Sequence, residues 1–355
     1  MDGTAMSIDR SELQDSARKI FPASSLIPHA DQSWQTIVEM GWPALTVPEE
    51  FGGLGLSAAS LGTLYSELGR VLAPVPFLPT MLALQAVTQS SELKDREEWI
   101  GRLMGGEIVA FPLGAAPVDQ DNDGAMHGTL EAVPDADKAT HLLLRISDKG
   151  LWLFVPMDQK GVSITPREFW DKSRGLFDVT LDGVPIDTAL IVAKGEEATR
   201  LFQDLHQHLH LALAADSLGG AEALLELTVE YLQTRRQFDR PLAMFQALKH
   251  RCADLKCMLS AAQALFESWV EDESVERAER LVRAAALKGH AASVYHAIAE
   301  EAIQLHGGIG VTAEHHCHLF LKRALLNECL GGTDDEIAAA FGAHVMREAG
   351  AAARS

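Results

Sequence analysis

From Ser11 to about Gly105, apolar residues recur at the three- and four-residue spacing of amphipathic helices, as at Leu61, Leu64, Leu68 and Val71. Between Gly41 and Ser57 that spacing fails. Pro43, Pro48, Gly52, Gly53 and Gly55 cannot continue a helix, which predicts a loop with Ser57 as N-cap of the helix that follows. Pro74, Pro76 and Pro79 mark a second break. From about Glu107 to Ile191 the period shortens to that of strands. Leu142 to Ile146, Leu151 to Val155 and Val162 to Thr165 are β-favouring runs between turn residues. Phe177 to Ile186 is a further strand candidate, with Asp182-Gly183 as a turn. Beyond about Glu196 the helical spacing returns. Leu201 to Gln233, Phe245 to Val270 and Val275 to Leu305 predict three long helices, and a last one runs from about Asp335. Long helices with short connections predict an antiparallel four-helix bundle. The chain is therefore mainly α with a small central β domain: a helical domain over 1–105, a β domain over 106–195 and a helical bundle over 196–355.

Composition narrows the function. The 355 residues are 47% hydrophobic and 23% charged, as in a soluble globular protein with a well-buried core. A formal net charge of -20 excludes nucleic acid and anionic lipid as partners, since both would be repelled. It leaves open a small anion held by local arginines. Four cysteines in so long a chain are no disulfide framework and point to a reducing compartment. The first residues have neither a basic start nor an apolar run, so no secretory signal is expected. The longest apolar stretches, such as Leu151 to Met157, are far shorter than a membrane span. A cytoplasmic enzyme is expected.

Two segments carry the candidate chemistry. In the first, Tyr231 to Gln246, Arg235 offers a planar fork suited to phosphate oxygens. In the second, Gln304-Leu-His-Gly307-Gly308-Ile-Gly310, a Gly-Gly-x-Gly turn lets main chain approach a ligand without a Cβ in the way. Arg235, Phe238 and Gln246, with Gln304, Gly307, Gly308 and Gly310, resemble the two flavin-contact motifs of the acyl-CoA dehydrogenases. The resemblance spans nearly the whole chain. Val47-Pro-Glu-Glu-Phe-Gly-Gly-Leu-Gly55, Ser66-Glu-Leu-Gly-Arg-Val-Leu-Ala-Pro74 and Leu181-Asp-Gly-Val-Pro-Ile186 are similar to family segments in the same order. The resemblance implies that family's fold, with a helical N-terminal domain, a barrel-like β middle and a C-terminal four-helix bundle. It also implies FAD lying across a subunit interface, its isoalloxazine on one subunit's middle domain and its ADP moiety on the neighbour's C-terminal domain. Arg235 would then pair with the pyrophosphate and Phe238 pack beside it, while Gln246, Gln304, Gly307, Gly308 and Thr333 line the same half. The implied reaction takes the α-proton of an acyl-CoA with a glutamate and passes a β-hydride to flavin. Electron-transfer flavoprotein is the implied acceptor.

The chain departs from that pattern at the chemistry. Most members carry the glutamate just before Gly-Thr ahead of the last helix, where this chain reads Leu330-Gly331-Gly332-Thr333. Others carry it on the first bundle helix, at a position that aligns with Leu209 or His210. Neither position holds a carboxylate. The middle domain lacks the acidic-proline phrase that runs into Gly-Ser-Asp: after Glu107 to Gly114 comes Ala-Ala-Pro-Val-Asp-Gln-Asp-Asn-Asp-Gly. Trp152 stands within a strand run instead of a turn. Asp239 replaces a usual glycine, a carboxylate that Arg236 or Arg240 would have to offset. The whole resembles the smaller, degenerate subunit of heteromeric α2β2 members that act on steroid side-chain CoA thioesters.

Other clusters carry less. His206 and His210, four apart, share a helix face, but a third ligand is missing, so no metal is expected there. His315-His316-Cys317-His318 diverge around a helix entry. Cys252 and Cys257 sit in a helical pattern and read as small core residues. Glu267 to Arg280 reads as a solvated corner between helices. Three functional readings remain open: a subunit whose homologous partner supplies the glutamate, a self-sufficient enzyme using His210, Asp334 or Asp335 as base, and a flavin-free structural partner.

Overall fold

The computed structural model describes residues 9–114, 117–121, 124–270, 272 and 274–352. Helices α1 (Arg10–Ile20), α2 (Ala30–Glu39), α3 (Ala58–Arg70), α4 (Phe77–Gln89) and α5 (Arg96–Met104) come first. Strands β1 (Val109–Ala110), β2 (Val118–Gln120), β3 (Ala125–Pro134), β4 (His141–Ile146), β5 (Leu151–Pro156), β6 (Val162–Pro166), β7 (Leu176–Pro185) and β8 (Leu190–Lys194) follow. Helices α6 (Gly195–Thr234), α7 (Gln246–Val270), α8 (Arg277–His306), α9 (Cys317–Cys329) and α10 (Asp334–Ala352) complete the chain, with a hairpin of β9 (Arg236–Gln237) and β10 (Arg240–Pro241) between α6 and α7. Residues 1–8 of the first expected domain, Ala115, Ala116, Asn122 and Asp123 of the departing phrase, and Glu271 and Glu273 of the acidic corner lie outside the described residues. No described helix is long and apolar enough to cross a membrane.

Contacts group these elements into two compact units. One takes His29–Ser57 and Pro74–Leu209; the other takes Ala58–Ala73 and His210–Ser355, together with α1. This grouping crosses the order along the chain, because α1 and α3 belong with the later helices. Glycines are the reason. A Cβ on Gly69 of α3 would stand 2.3 Å from the carbonyl oxygen of Asp216, and one on Gly219 of α6 would stand 1.9 Å from that of Ser66. The two backbones therefore touch where each helix lacks a side chain. Arg70 then bridges the helices, 3.1 Å from Glu222, 2.8 Å from Glu226 and 3.3 Å from Glu67. Ser66, Glu67, Gly69 and Arg70 come from the Ser66 to Pro74 segment, so that phrase is a packing device.

In the other unit, two four-stranded sheets share one core. One has the order β1-β4-β5-β8 and the other β2-β3-β7-β6. Every pairing is antiparallel except β1 with β4. Met126, Leu130, Leu142, Leu144, Leu153, Val155, Val179 and Leu181 fill the space between them. Asp182-Gly183 is not a chain-reversing turn as expected. It is a bulge inside β7: Asp182 pairs with His127 and Val184 with Met126, leaving Gly183 extra at φ +70°.

The region expected to hold four long helices holds five, and α8 packs against α7, α9 and α10. A buried polar group joins α6 to α9. Arg323 lies 3.0 Å from Asp216, and Asn327 donates to Asp216 at 2.7 Å and to Ser217 at 3.0 Å. The two cysteines of α7 are not core residues. The buried stripe of that helix runs through Leu255, Leu259, Ala262 and Phe266, which leaves Cys252 at its edge and Cys257 exposed.

Candidate cofactor site

The structure joins the two motif segments at the ends of α6 and α8. The Tyr231 hydroxyl donates to the carbonyl oxygen of His306 at 3.3 Å, and their rings stack 4.4 Å apart. His315 adds a third ring, 4.3 Å from His306. Neither Tyr231 nor His306 was assigned a role from sequence. Each stood at the edge of a motif, but only their contact explains how the segments meet. His306 is 4% exposed; its Nδ1 donates to Ala302 O at 2.7 Å. Burial lowers its pKa.

Around this junction the expected cofactor residues face outward. Arg235 directly follows α6 with its main chain fixed, its N–H donating to Tyr231 O at 2.8 Å and its carbonyl accepting from Leu242 N at 2.8 Å. Its side chain is exposed and meets no carboxylate among the described residues. Gln246 opens α7 and Gln304 lies in the last turn of α8, both exposed. Gly307 adopts φ 65°, ψ -147°, a conformation closed to other residues. A Cβ on Gly307 or Gly308 would meet nothing within 4 Å, whereas one on Gly310 would press on His306 and Ile303 at 3.0 Å. The packing of this chain thus requires Gly310 but leaves the main chain at 307–308 open. An arginine fork, two amides and accessible main-chain groups make a donor set that fits the anionic half of a dinucleotide.

Phe238 and Asp239 form the tip of the β9–β10 hairpin, at φ 51° and 63°. Two positive φ values in a two-residue loop are the geometry that favours Asn-Gly or Asp-Gly, and aspartate tolerates it. Phe238 is 85% exposed on this strained backbone. Arg236 donates to the main-chain oxygen of Asp239 at 2.6 Å, and Arg240 stacks 4.0 Å over the ring of Phe245. Thr333, expected at the cofactor, is exposed and has a local partner. Its N–H donates to Glu336 at 2.8 Å and its hydroxyl lies 3.0 Å from the same oxygen, a capping box that starts α10.

His210, one of the two first-helix residues that align with a family base position, meets Gly331, the residue at the other such position. His210 Nε2 donates to Gly331 O at 2.8 Å, and a carbonyl can only accept, so this nitrogen already holds a proton. Gly331 sits at φ +70°, and a Cβ there would stand 3.0 Å from Leu213 and 3.3 Å from His210. The next carbonyl, Gly332 O, accepts from the fully buried Lys288 at 2.7 Å, and Lys288 also donates to Glu328 O at 2.9 Å. Burial pushes Lys288 down to about 8. Asp334 and Asp335 are exposed in the first turn of α10, where acidic side chains complement the helix dipole.

In the other unit, Trp152 is the second residue of β5, 2% exposed. It donates to Ala198 O at 3.0 Å and stacks on Phe111, with centroids 6.0 Å apart. His206 packs on Phe202 at 3.9 Å, and desolvation pushes it down to about 4. His208 Nδ1 is 2.7 Å from Gln85 Oε1 and is likewise pushed down to about 4 by burial. His315 accepts from Cys317 N, and His318 donates to His315 O. Among the described residues no group of three or more His, Cys, Asp or Glu is placed to hold a metal.

The family model of the acyl-CoA dehydrogenase C-terminal domain matches residues 200–346, and that of the N-terminal domain matches 5–107. The chain belongs to the acyl-CoA dehydrogenase family. It is similar to the acyl-CoA dehydrogenase IpdE2 of Mycolicibacterium smegmatis, with 32% identity over 297 residues, 82% of this chain and 80% of that protein. The IpdE2 of Mycobacterium tuberculosis is 33% identical over 294 residues, 82% of this chain and 79% of that one. Among solved structures, a variant of the Tcur3481–Tcur3483 steroid ACAD superposes with a TM-score of 0.82 and 27% identity, covering 96% of this chain and 98% of that one. In this family member the two motif segments, Tyr231 to Gln246 and Gln304 to Gly310, are the ones that meet at the α6–α8 junction.

Proposed function

We propose that this chain is one subunit of a heteromeric, cytoplasmic acyl-CoA dehydrogenase that introduces an α,β double bond into an acyl-CoA thioester. The reading extends to a steroid side-chain CoA as substrate and electron-transfer flavoprotein as acceptor. The single observation that carries it is the His210–Gly331 contact: the family positions for the base, Leu209 or His210 and Gly331, lack a carboxylate, and His210 bonds to the Gly331 carbonyl. The similarity to a two-component steroid ACAD supports the composition and the substrate class. FAD, when bound, supplies the hydride acceptor. In this chain Arg235 would hold pyrophosphate oxygens with its fork, Gln246 and Gln304 would donate amide protons, and main chain at Gly307 and Gly308 would close on the same half. Phe238 would cover it with an apolar face. The partner subunit would supply the glutamate and the seat of the isoalloxazine ring.

The test is to purify the chain alone and together with acyl-CoA dehydrogenase chains encoded beside it, then record flavin absorbance and its bleaching by acyl-CoA. A colourless chain that yields a yellow complex, bleached by substrate and holding one flavin per two chains, is expected. A chain that is yellow and bleached alone would be a self-sufficient enzyme. A complex that stays colourless would make this subunit a structural partner.

A further inference from the structure

Along β4 successive side chains face opposite ways. Leu142, Leu144 and Ile146 point between the two sheets, which puts Leu143 and Arg145 on the other face. There Trp152 stands opposite Arg145 in the β4–β5 register. The start of α6 lies over this face through Ala198, Phe202 and His206, each four residues from the next. Ala198 O accepts from Trp152, the Arg145 guanidinium stacks 4.3 Å over the Phe202 ring, and His206 lies 3.9 Å from that ring. All of these residues belong to one compact unit. Arg102 and Arg167, half-buried in the same unit, each hold a carboxylate, at 2.6 Å from Glu107 and 2.8 Å from Asp178, and each pKa is raised by that bond. Arg145 is half-buried too, but among the described residues its guanidinium makes no hydrogen bond or ion pair. Its Nε is enclosed, and desolvation lowers its pKa with no neighbouring charge to offset it. Burial pushes His206 down to about 4, so that ring adds no charge at neutral pH. The chain has 50 acidic residues against 30 basic ones. A desolvated cation without a carboxylate in so acidic a chain takes its counter-ion from outside the chain.

We infer that Arg145 is an anion subsite that takes a phosphate group, with the Phe202 ring holding the plane of the guanidinium. Two phosphate oxygens match the fork of an arginine. The ring contact fixes that fork beforehand, so little freedom is lost when the anion arrives. Two sources carry the group: free phosphate, and the nucleotide part of a CoA thioester. The second deepens the function proposed above and rests on it; the first does not.

The test titrates CoA, dephospho-CoA and inorganic phosphate by calorimetry into the full-length chain, alone and in complex with its partner. Arg145→Met keeps an apolar stem over Phe202 and removes the charge, whereas Arg145→Lys keeps the charge and loses the fork. Arg145→Met should melt at or above the wild-type temperature, because a desolvated charge is gone. It should bind the phosphate ligand at least about ten-fold more weakly, with Arg145→Lys in between. If only CoA weakens in Arg145→Met, the 3′-phosphate is the group held; if CoA and dephospho-CoA weaken together, it is the pyrophosphate. Weakening of inorganic phosphate alone assigns the subsite to the free ion. Wild-type affinities for all three ligands in Arg145→Met, or a wild-type protein that binds none of them, overturn the subsite and leave Arg145 as a lid on Phe202. A complex that loses affinity in Arg145→Met yet never holds flavin keeps the subsite and removes the functional reading. A yellow complex bleached by acyl-CoA, with affinities that Arg145→Met leaves unchanged, does the reverse.

Discussion

Arg235 leaves the last turn of α6 with its main chain held at both ends and its guanidinium turned outward, a geometry that positions a fork without using it inside the chain. Replacing it with alanine should lower flavin retention by the complex, since a charge-assisted bond to a phosphate oxygen is worth about 1.5–3 kcal/mol. Lysine should restore only part of that, because it keeps the charge and loses the fork. The flavin-to-protein absorbance ratio after gel filtration measures it, and full flavin in Arg235→Ala would detach this segment from the cofactor. Thr333 shows the opposite case. Its type and place suit a ligand contact, yet its hydroxyl and N–H both face Glu336, a pairing three residues away that is visible as Thr-x-x-Glu once the helix start is known.

Among the elements, the α3–α6 crossing depends most on single atoms. Gly219→Ala places a Cβ at 1.9 Å from the carbonyl oxygen of Ser66, so one helix must shift and the Arg70 bridge to Glu222 and Glu226 must stretch. Overpacking of this kind costs about 1–3 kcal/mol. Urea unfolding of the isolated chain should show the loss, and wild-type stability in Gly219→Ala would mean that the helices do not touch here. Residue spacing showed that α3 and α6 are helices, but not that they cross. Likewise the glycine in Asp182-Gly183 signalled a break in β7. Whether it reverses the chain or bulges within a strand depends on pairing with His127 and Met126, about fifty residues upstream.

For the whole molecule, pH acts through histidines kept neutral. His206 and His208 are both lowered to about 4 from an ordinary 6.5, with desolvation the largest cause. Above pH 6.5 folded and unfolded chains both hold these rings neutral and the fold keeps its full stability. As pH falls from 6.5 towards 4, only the unfolded chain takes up the protons, so stability drops by up to roughly 1.4 kcal/mol per pH unit per histidine. The urea midpoint should therefore be lower at pH 5 than at pH 7, and His208→Gln should narrow the gap. A gap that His208→Gln leaves unchanged would mean that the His208 ring is not desolvated. The order helix, strand, helix was legible along the chain because periodicity is local, and so was the absence of a carboxylate at 209, 210 and 331. Partnerships were not. Tyr231 and His306 join their motifs across 75 residues, His210 meets Gly331 across 121, and α1 and α3 side with the late helices. Spacing states which face of an element is apolar; which surface covers that face is decided by close approach between distant segments, and here glycines and buried polar pairs decide it.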